Sequence, residues 1–170
     1  MNIILCGPSG TGKTVVGKAV AKAIGWEWLD TDEAIEKEHG AITKIFESRG
    51  EEYFRGIESR LVDSLKTSDK LVISTGGGLV VEKSNAFSLR KTGKIVYLRA
   101  REETLLERLK NCQDRPLLLG ENGRENFLKR VRARFEVYES VADFVIDVDG
   151  LSVSETALRV IEYIRDNGII

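Results

Sequence analysis

Residues 7–14 read Gly7-Pro8-Ser9-Gly10-Thr11-Gly12-Lys13-Thr14 and follow directly on the apolar run Ile3-Ile4-Leu5-Cys6. This is a complete Gly-x-x-x-x-Gly-Lys-[Ser/Thr] phosphate loop in the setting its mechanism needs: a buried strand, a sharp turn, then a helix. The glycines let successive backbone N–H groups converge on one cavity, and the helix N-terminus adds partial positive charge there. Gly10, Thr11, Gly12, Lys13, Thr14 and Val15 are therefore the expected nucleotide-phosphate set. Lys13 can reach the β- and γ-phosphates as a point charge, and the Thr14 hydroxyl can ligate Mg²⁺.

The bulk of the chain is consistent with a small ligand. At 170 residues it can bury one good core and is short for two, which predicts one domain over 1–170. With 26 Lys+Arg against 27 Asp+Glu the net charge is −1, so no overall basic excess holds a polyanion. The local run Lys129-Arg130-Val131-Arg132-Ala133-Arg134 distributes its charges around a helix instead of along one face. Two cysteines, Cys6 and Cys112, have neither the count nor the spacing of a disulfide scaffold or a zinc site and suit a reducing cytosol. The apolar start is too short for a signal-peptide core or a membrane span, which predicts a cytoplasmic protein with no membrane partner.

Hydrophobic periodicity gives an alternating map. Val15, Val16, Ala19, Val20, Ala23 and Ile24 predict a helix over 13–24 closed by Gly25. A short strand is expected at Trp26–Leu29, followed by a helical insert with segments at 33–39, 43–49 and 51–66, broken at Gly40 and Gly50. Strands at 71–74, 94–98 and 144–147 alternate with helices at 82–91, 102–110, about 124–141 and 153–164. Residues 111–123 contain Pro116 and two glycines without a sustained period, as expected of a lid loop. Strands alternating with helices imply an α/β three-layer sandwich whose parallel sheet binds ligands outside the carboxyl ends of its strands.

Residues after the strands are thus the candidates. Leu29-Asp30-Thr31-Asp32 puts two carboxylates at the active edge, where extended geometry would turn both to one face. One could serve the metal and the other an incoming hydroxyl, although an Asp here could equally cap the next helix, with Thr31 or Asp32 as N-cap. His39 lies in a polar run at a helix end, which suits a solvated role and leaves Asp32 as the hydroxyl-orienting group. Arg134 interrupts the stripe Phe127, Val131, Tyr138, and Arg55 sits beside Phe54 with Glu58 one turn on. Two such arginines suggest a carboxylate clamp, although either alone would more often be a structural ion pair. Gly76-Gly77-Gly78 offers backbone and room for a ligand, and Arg115 on the lid could neutralise charge on a transferring phosphoryl group.

Taken together, these residues resemble the shikimate kinase family, in the nucleoside monophosphate kinase-like branch of phosphate-loop proteins. The resemblance spans nearly the whole chain, through Gly7 to Thr14, Leu29 to Asp32, Phe54-Arg55 with Glu58, Gly76 to Gly78, Arg115-Pro116-Leu117-Leu118, and Arg134 with Tyr138. It implies ATP-dependent phosphorylation of the 3-hydroxyl of shikimate on the route to chorismate and aromatic amino acids. It also implies a five-stranded parallel sheet of order 2-3-1-4-5, with a substrate-binding helical insert over 33–66 and a mobile lid. By that resemblance Lys13 and Thr14 serve the phosphates and Mg²⁺, and Asp30 the metal's water shell. Asp32 would take the substrate hydroxyls, Arg55, Arg134 and Gly76 to Gly78 would hold shikimate, Arg115 would close over the phosphates, and Arg108 would flank the adenine. The turn Val148-Asp149-Gly150-Leu151-Ser152-Val153 lacks the Arg and Pro that many members place beside adenine, which leaves base selectivity open. No partner chain is implied, and a monomer is expected. Two other readings are a kinase of another hydroxylated acid such as gluconate, and a nucleotide-binding regulatory module without turnover.

Overall fold

Strands covered on both faces must be apolar along their length, and those exposed at a sheet edge need not be. In the computed structural model, which describes residues 1–110 and 122–170, β1 (Asn2–Cys6) and β3 (Leu71–Ser74) are buried throughout. They lie at the centre of a parallel five-stranded sheet with β4 (Gly93–Arg99), flanked by the half-exposed edges β2 (Glu27–Asp30) and β5 (Phe144–Asp147). The spatial order is β2-β3-β1-β4-β5, as the resemblance implies.

Eight helices among the described residues cover the sheet. They are α1 (Lys13–Ile24), α2 (Thr31–His39), α3 (Ile42–Ser64), α4 (Lys83–Thr92), α5 (Glu102–Lys110), α6 (Gly123–Arg132), α7 (Phe135–Val141) and α8 (Val153–Asp166). Single 3₁₀ turns occupy Leu65–Thr67 and Leu79–Val81. Side chains alternate along β1, so Ile3 and Leu5 join one core and Ile4 and Cys6 the other. The first core packs Val16, Val20, Leu105, Phe127, Val131 and Val160 on one face of the sheet. The second packs Val62, Leu79, Leu89, Tyr97 and Tyr138 on the opposite face. Ile35, Ile45, Phe54 and Ile57 form a satellite core that joins α2 to α3.

Three expectations change. The long helix predicted over 124–141 is two helices, because its apolar stripe serves two cores: Phe127 and Val131 pack on one face of the sheet, Tyr138 on the other. No straight helix reaches both, so the chain tightens at Ala133 and Arg134, where Arg134 N–H bonds Val131 O at 3.0 Å. The second change is at the end of β2. Asp30 is the N-cap and Asp32 already lies in α2, so the two carboxylates do not share an extended face. A single carboxylate that satisfies two helix N–H groups outweighs one more residue of strand. Third, Gly123 starts α6 instead of ending the lid, and residues 111–121 of that predicted loop, Arg115 and Cys112 among them, lie outside the described residues. The break at Gly50 does occur, with φ 82° and ψ 173° inside α3.

Candidate active site

The register of the sheet brings the strand ends level. Asp30 pairs with Ser74, and Leu5 pairs with the same Ser74, so the phosphate loop, the start of α2 and the glycine turn all leave the sheet at one height. Side chains lock this junction. Ser74 Oγ donates to Lys13 O at 2.9 Å and accepts from Trp28 Nε1 at 3.1 Å, while Gly76 N donates to the buried Thr31 Oγ1 at 2.8 Å.

The phosphate loop enters α1 through Gly12, whose φ of 88° lies in the left-handed region that side chains avoid. No described side chain caps α1 and no acidic residue stands in its first turn, a helix N-terminus whose partial positive charge suits an anion. Lys13 is buried, and its ammonium folds back on Pro8 O at 2.8 Å, beside Thr11 Oγ1, which bonds the same carbonyl at 3.0 Å. Thr14 Oγ1 donates to Asp30 Oδ2 at 2.7 Å. The other Asp30 oxygen accepts from the N–H groups of Asp32 and Glu33 at 3.0 and 3.3 Å, so one carboxylate faces both the helix and the loop. Arg108 binds the carbonyls of Gly10 at 3.3 Å and Val148 at 3.1 Å, which ties α5 to the phosphate loop and to the turn after β5. Val15 is half exposed at the start of α1.

The three glycines after β3 gather the other predicted residues. A Cβ on Gly76 would collide with the Asp32 carboxylate, whose Cγ would be 3.2 Å away. On Gly78 it would collide with the Arg55 guanidinium, 2.6 Å from Nη2, and on Gly77 it would stand 3.9 Å from Arg134 Nη1. Asp32, Arg55 and Arg134, from α2, α3 and the α6–α7 junction, thus converge on one backbone turn. Arg55 is aimed by two carboxylates: Nη1 donates to Glu58 Oε2 at 2.6 Å and Nη2 to Glu51 Oε1 at 2.9 Å. Glu58 is 1 % exposed, and burial pushes its carboxyl above the usual range against the pull of Arg55. Glu51, at the mouth, is held below that range by its hydrogen bond to Arg55, with Arg134 and Arg130 adding to the effect. A small anion with a hydroxyl close to its carboxylate matches this array of two guanidinium groups and one acid.

The shikimate kinase family model matches residues 9–165. The chain belongs to the shikimate kinase family. A shikimate kinase of Thermodesulfovibrio yellowstonii is 45 % identical over 166 residues, covering 96 % of this chain and 95 % of its own. That of Caldanaerobacter subterraneus subsp. tengcongensis is 41 % identical over 169 residues, covering 98 % of both. Among solved structures, shikimate kinase from Acinetobacter baumannii in complex with shikimate superposes with a TM-score of 0.91 at 36 % identity, over 98 % of this chain and 93 % of that one. A deoxyadenosine kinase from M. mycoides, with a TM-score of 0.63 at 18 % identity over 98 % and 100 %, shares the fold alone.

Two contributors to the shikimate kinase-like pocket escaped sequence reading. Glu51 stands four residues before Arg55, a helical ion-pair spacing that was open to inspection. Tyr138 was read in an apolar stripe and, with Arg134, as a match to the family, but with no role of its own; its hydroxyl donates to Gly77 O. No local pattern reveals that bond, because 61 residues separate the partners.

Proposed function

We propose that the chain transfers the γ-phosphoryl group of ATP to the 3-hydroxyl of shikimate, giving shikimate 3-phosphate and ADP. The observation that carries this reading is the glycine turn, against which an acid and two arginines stand beside the phosphate loop. Arg55 and Arg134 take the acceptor carboxylate, Gly76 to Gly78 line its ring, and Asp32 orients or deprotonates the nucleophilic hydroxyl. Phosphoryl transfer proceeds through a loose transition state, so positioning and charge neutralisation dominate and a strong base is not required.

Lys13 leaves Pro8 O for the nucleotide phosphates, with Gly10, Thr11, Gly12, Thr14 and Val15 supplying the rest of the loop. Arg108 borders the adenine, and Arg115 closes over the phosphates from the expected lid ahead of Gly123. Thr14 Oγ1 and Asp30 Oδ2 form a small hard-oxygen pair that fits Mg²⁺, with Thr14 a direct ligand and Asp30 held through the water shell. Mg²⁺ held there would supply charge neutralisation for the phosphates. In this reading 1–170 is one kinase domain with a helical insert over 33–66, acting as a cytoplasmic monomer; no helix among the described residues is long and apolar enough to cross a membrane.

ADP release by the purified protein with MgATP, in the presence of shikimate, gluconate or no acceptor, tests the proposal. Stimulation by shikimate alone supports it. Stimulation by gluconate overturns the acceptor assignment, and tight ATP binding without stimulation by either overturns the catalytic reading.

A further inference from the structure

Tyr138 sits in the first turn of α7, is 1 % exposed, and could serve the core as well through its ring alone. Its hydroxyl is nonetheless engaged. The proton is donated to Gly77 O, and the guanidinium of Arg134, one turn earlier, lies close enough to pull on the phenol. Both groups face the same point of the glycine turn: a Cβ on Gly77 would stand 3.7 Å from Tyr138 Oη and 3.9 Å from Arg134 Nη1. We infer that the Tyr138 hydroxyl is a positioning group for the acceptor pocket, holding Gly77 and the Arg134 guanidinium in one fixed relation. The inference rests on the shikimate reading above and deepens it.

The argument is one of degrees of freedom. Arg134 lies between the two helices, at φ −107° and ψ −10°, and its backbone bonds to Val131 O and from Tyr138 N–H, both 3.0 Å, leave the rotamers of the side chain open. A long side chain in that place has rotamer freedom that must be lost before it can bind a carboxylate in a single geometry. A buried hydroxyl anchored on Gly77, against which the guanidinium also stands, restricts that freedom in advance. Burial pushes the phenol up to about 12, against the pull of Arg134, so it remains a proton donor to Gly77 O through the neutral range. Tyr97 supplies an internal comparison. Its ring lies 5.2 Å from that of Tyr138 in the same core, and its buried hydroxyl has no partner among the described residues. The two phenols differ in connection to the pocket, not in burial.

The test compares Tyr138→Phe with Tyr97→Phe in steady-state kinetics, after shikimate-dependent turnover has been established in the unsubstituted protein. A silent Tyr138→Phe is then a failure of the positioning role and not of the shikimate assignment. Tyr138→Phe is expected to raise the shikimate KM about tenfold, with the ATP KM and kcat changed by less than about twofold, and Tyr97→Phe to leave all three unchanged. In an Arg134→Ala background the added effect of Tyr138→Phe should shrink to about twofold or less, since the arginine it aims is gone. An unchanged shikimate KM in Tyr138→Phe would overturn the inference. So would equal rises in both KM values, or a large fall in melting temperature with parallel loss of all parameters, which would make the hydroxyl a core-stability group.

Discussion

Thr14 Oγ1 donates a 2.7 Å hydrogen bond to Asp30 Oδ2, joining the first turn of α1 to the end of β2. The same carboxylate caps α2 through its other oxygen. The two roles separate by substitution. Asp30→Asn retains an oxygen able to cap and should leave melting nearly unchanged, whereas Asp30→Ala should cost about 1 kcal/mol. Both should raise the Mg²⁺ concentration needed for half-maximal turnover. A thermal melt and a Mg²⁺ titration of each variant decide this, and an unaltered Mg²⁺ requirement in both would remove Asp30 from the metal site.

Asp32 lies in α2, against Gly76. Asp32→Asn keeps the shape and removes the charge and the basicity, so kcat should fall by roughly two to four orders of magnitude, the range of a general-base contribution. Nucleotide affinity should stay within about threefold, because Lys13 and the loop amides are untouched. Turnover within tenfold of the unsubstituted protein would show that another group orients the hydroxyl.

Arg134 stands at the α6–α7 junction, facing Gly77. Arg134→Ala should raise the shikimate KM by roughly a hundredfold, as expected for loss of a charge-assisted hydrogen bond of about 3 kcal/mol, and the ATP KM by far less. Equal effects on both substrates would count against a carboxylate partner.

Gly78 has φ −100°, which any residue adopts, so Gly78→Ala tests space and not backbone strain. The new methyl would meet the Arg55 guanidinium, which the ion pairs to Glu58 and Glu51 hold in place. The side chain must shift, and the shikimate KM should rise about tenfold or more while the melting temperature moves by only a few degrees. An unaffected KM would mean that Arg55 binds the acceptor from a different position.

At the far edge of the sheet Arg99 grips Asp147 with bonds of 2.6 and 2.8 Å, tying β4 to β5. The hydrogen bond from Arg99 holds the Asp147 carboxyl below its ordinary range, so its stabilisation is complete above that range and is lost as pH falls through the depressed value. Both groups are exposed, which limits the contribution to about 0.2–1 kcal/mol. Asp147→Asn should therefore melt a degree or two lower at neutral pH and match the unsubstituted protein in strong acid. A difference that persists in strong acid would show that charge is not its origin.

Most of the fold was legible in the sequence because its elements follow local rules. Apolar runs marked β1, β3 and β4, helical spacing marked α1, α5 and α8, and glycines marked the ends at Gly25, Gly40 and Gly50. The α6–α7 break was not legible, since the stripe from Phe127 to Tyr138 has unbroken helical spacing and only the two-sided sheet requires it to split. Asp30 was read as an acid at the active edge, but its choice of capping over further strand depended on the amides of Asp32 and Glu33 winning against extension.

By itself, the sequence determined the phosphate loop, the alternation of strands and helices, and the residue types available for chemistry, because each depends on neighbours within a turn or a strand. The tertiary structure decided which of those residues meet. Arg55, Arg134 and Asp32 reach one glycine turn only through the parallel register that levels the strand ends, and Tyr138 finds Gly77 across 61 residues because two cores on opposite faces place α7 beneath that turn. Such convergence is a property of packing, which brings together residues that no local pattern relates.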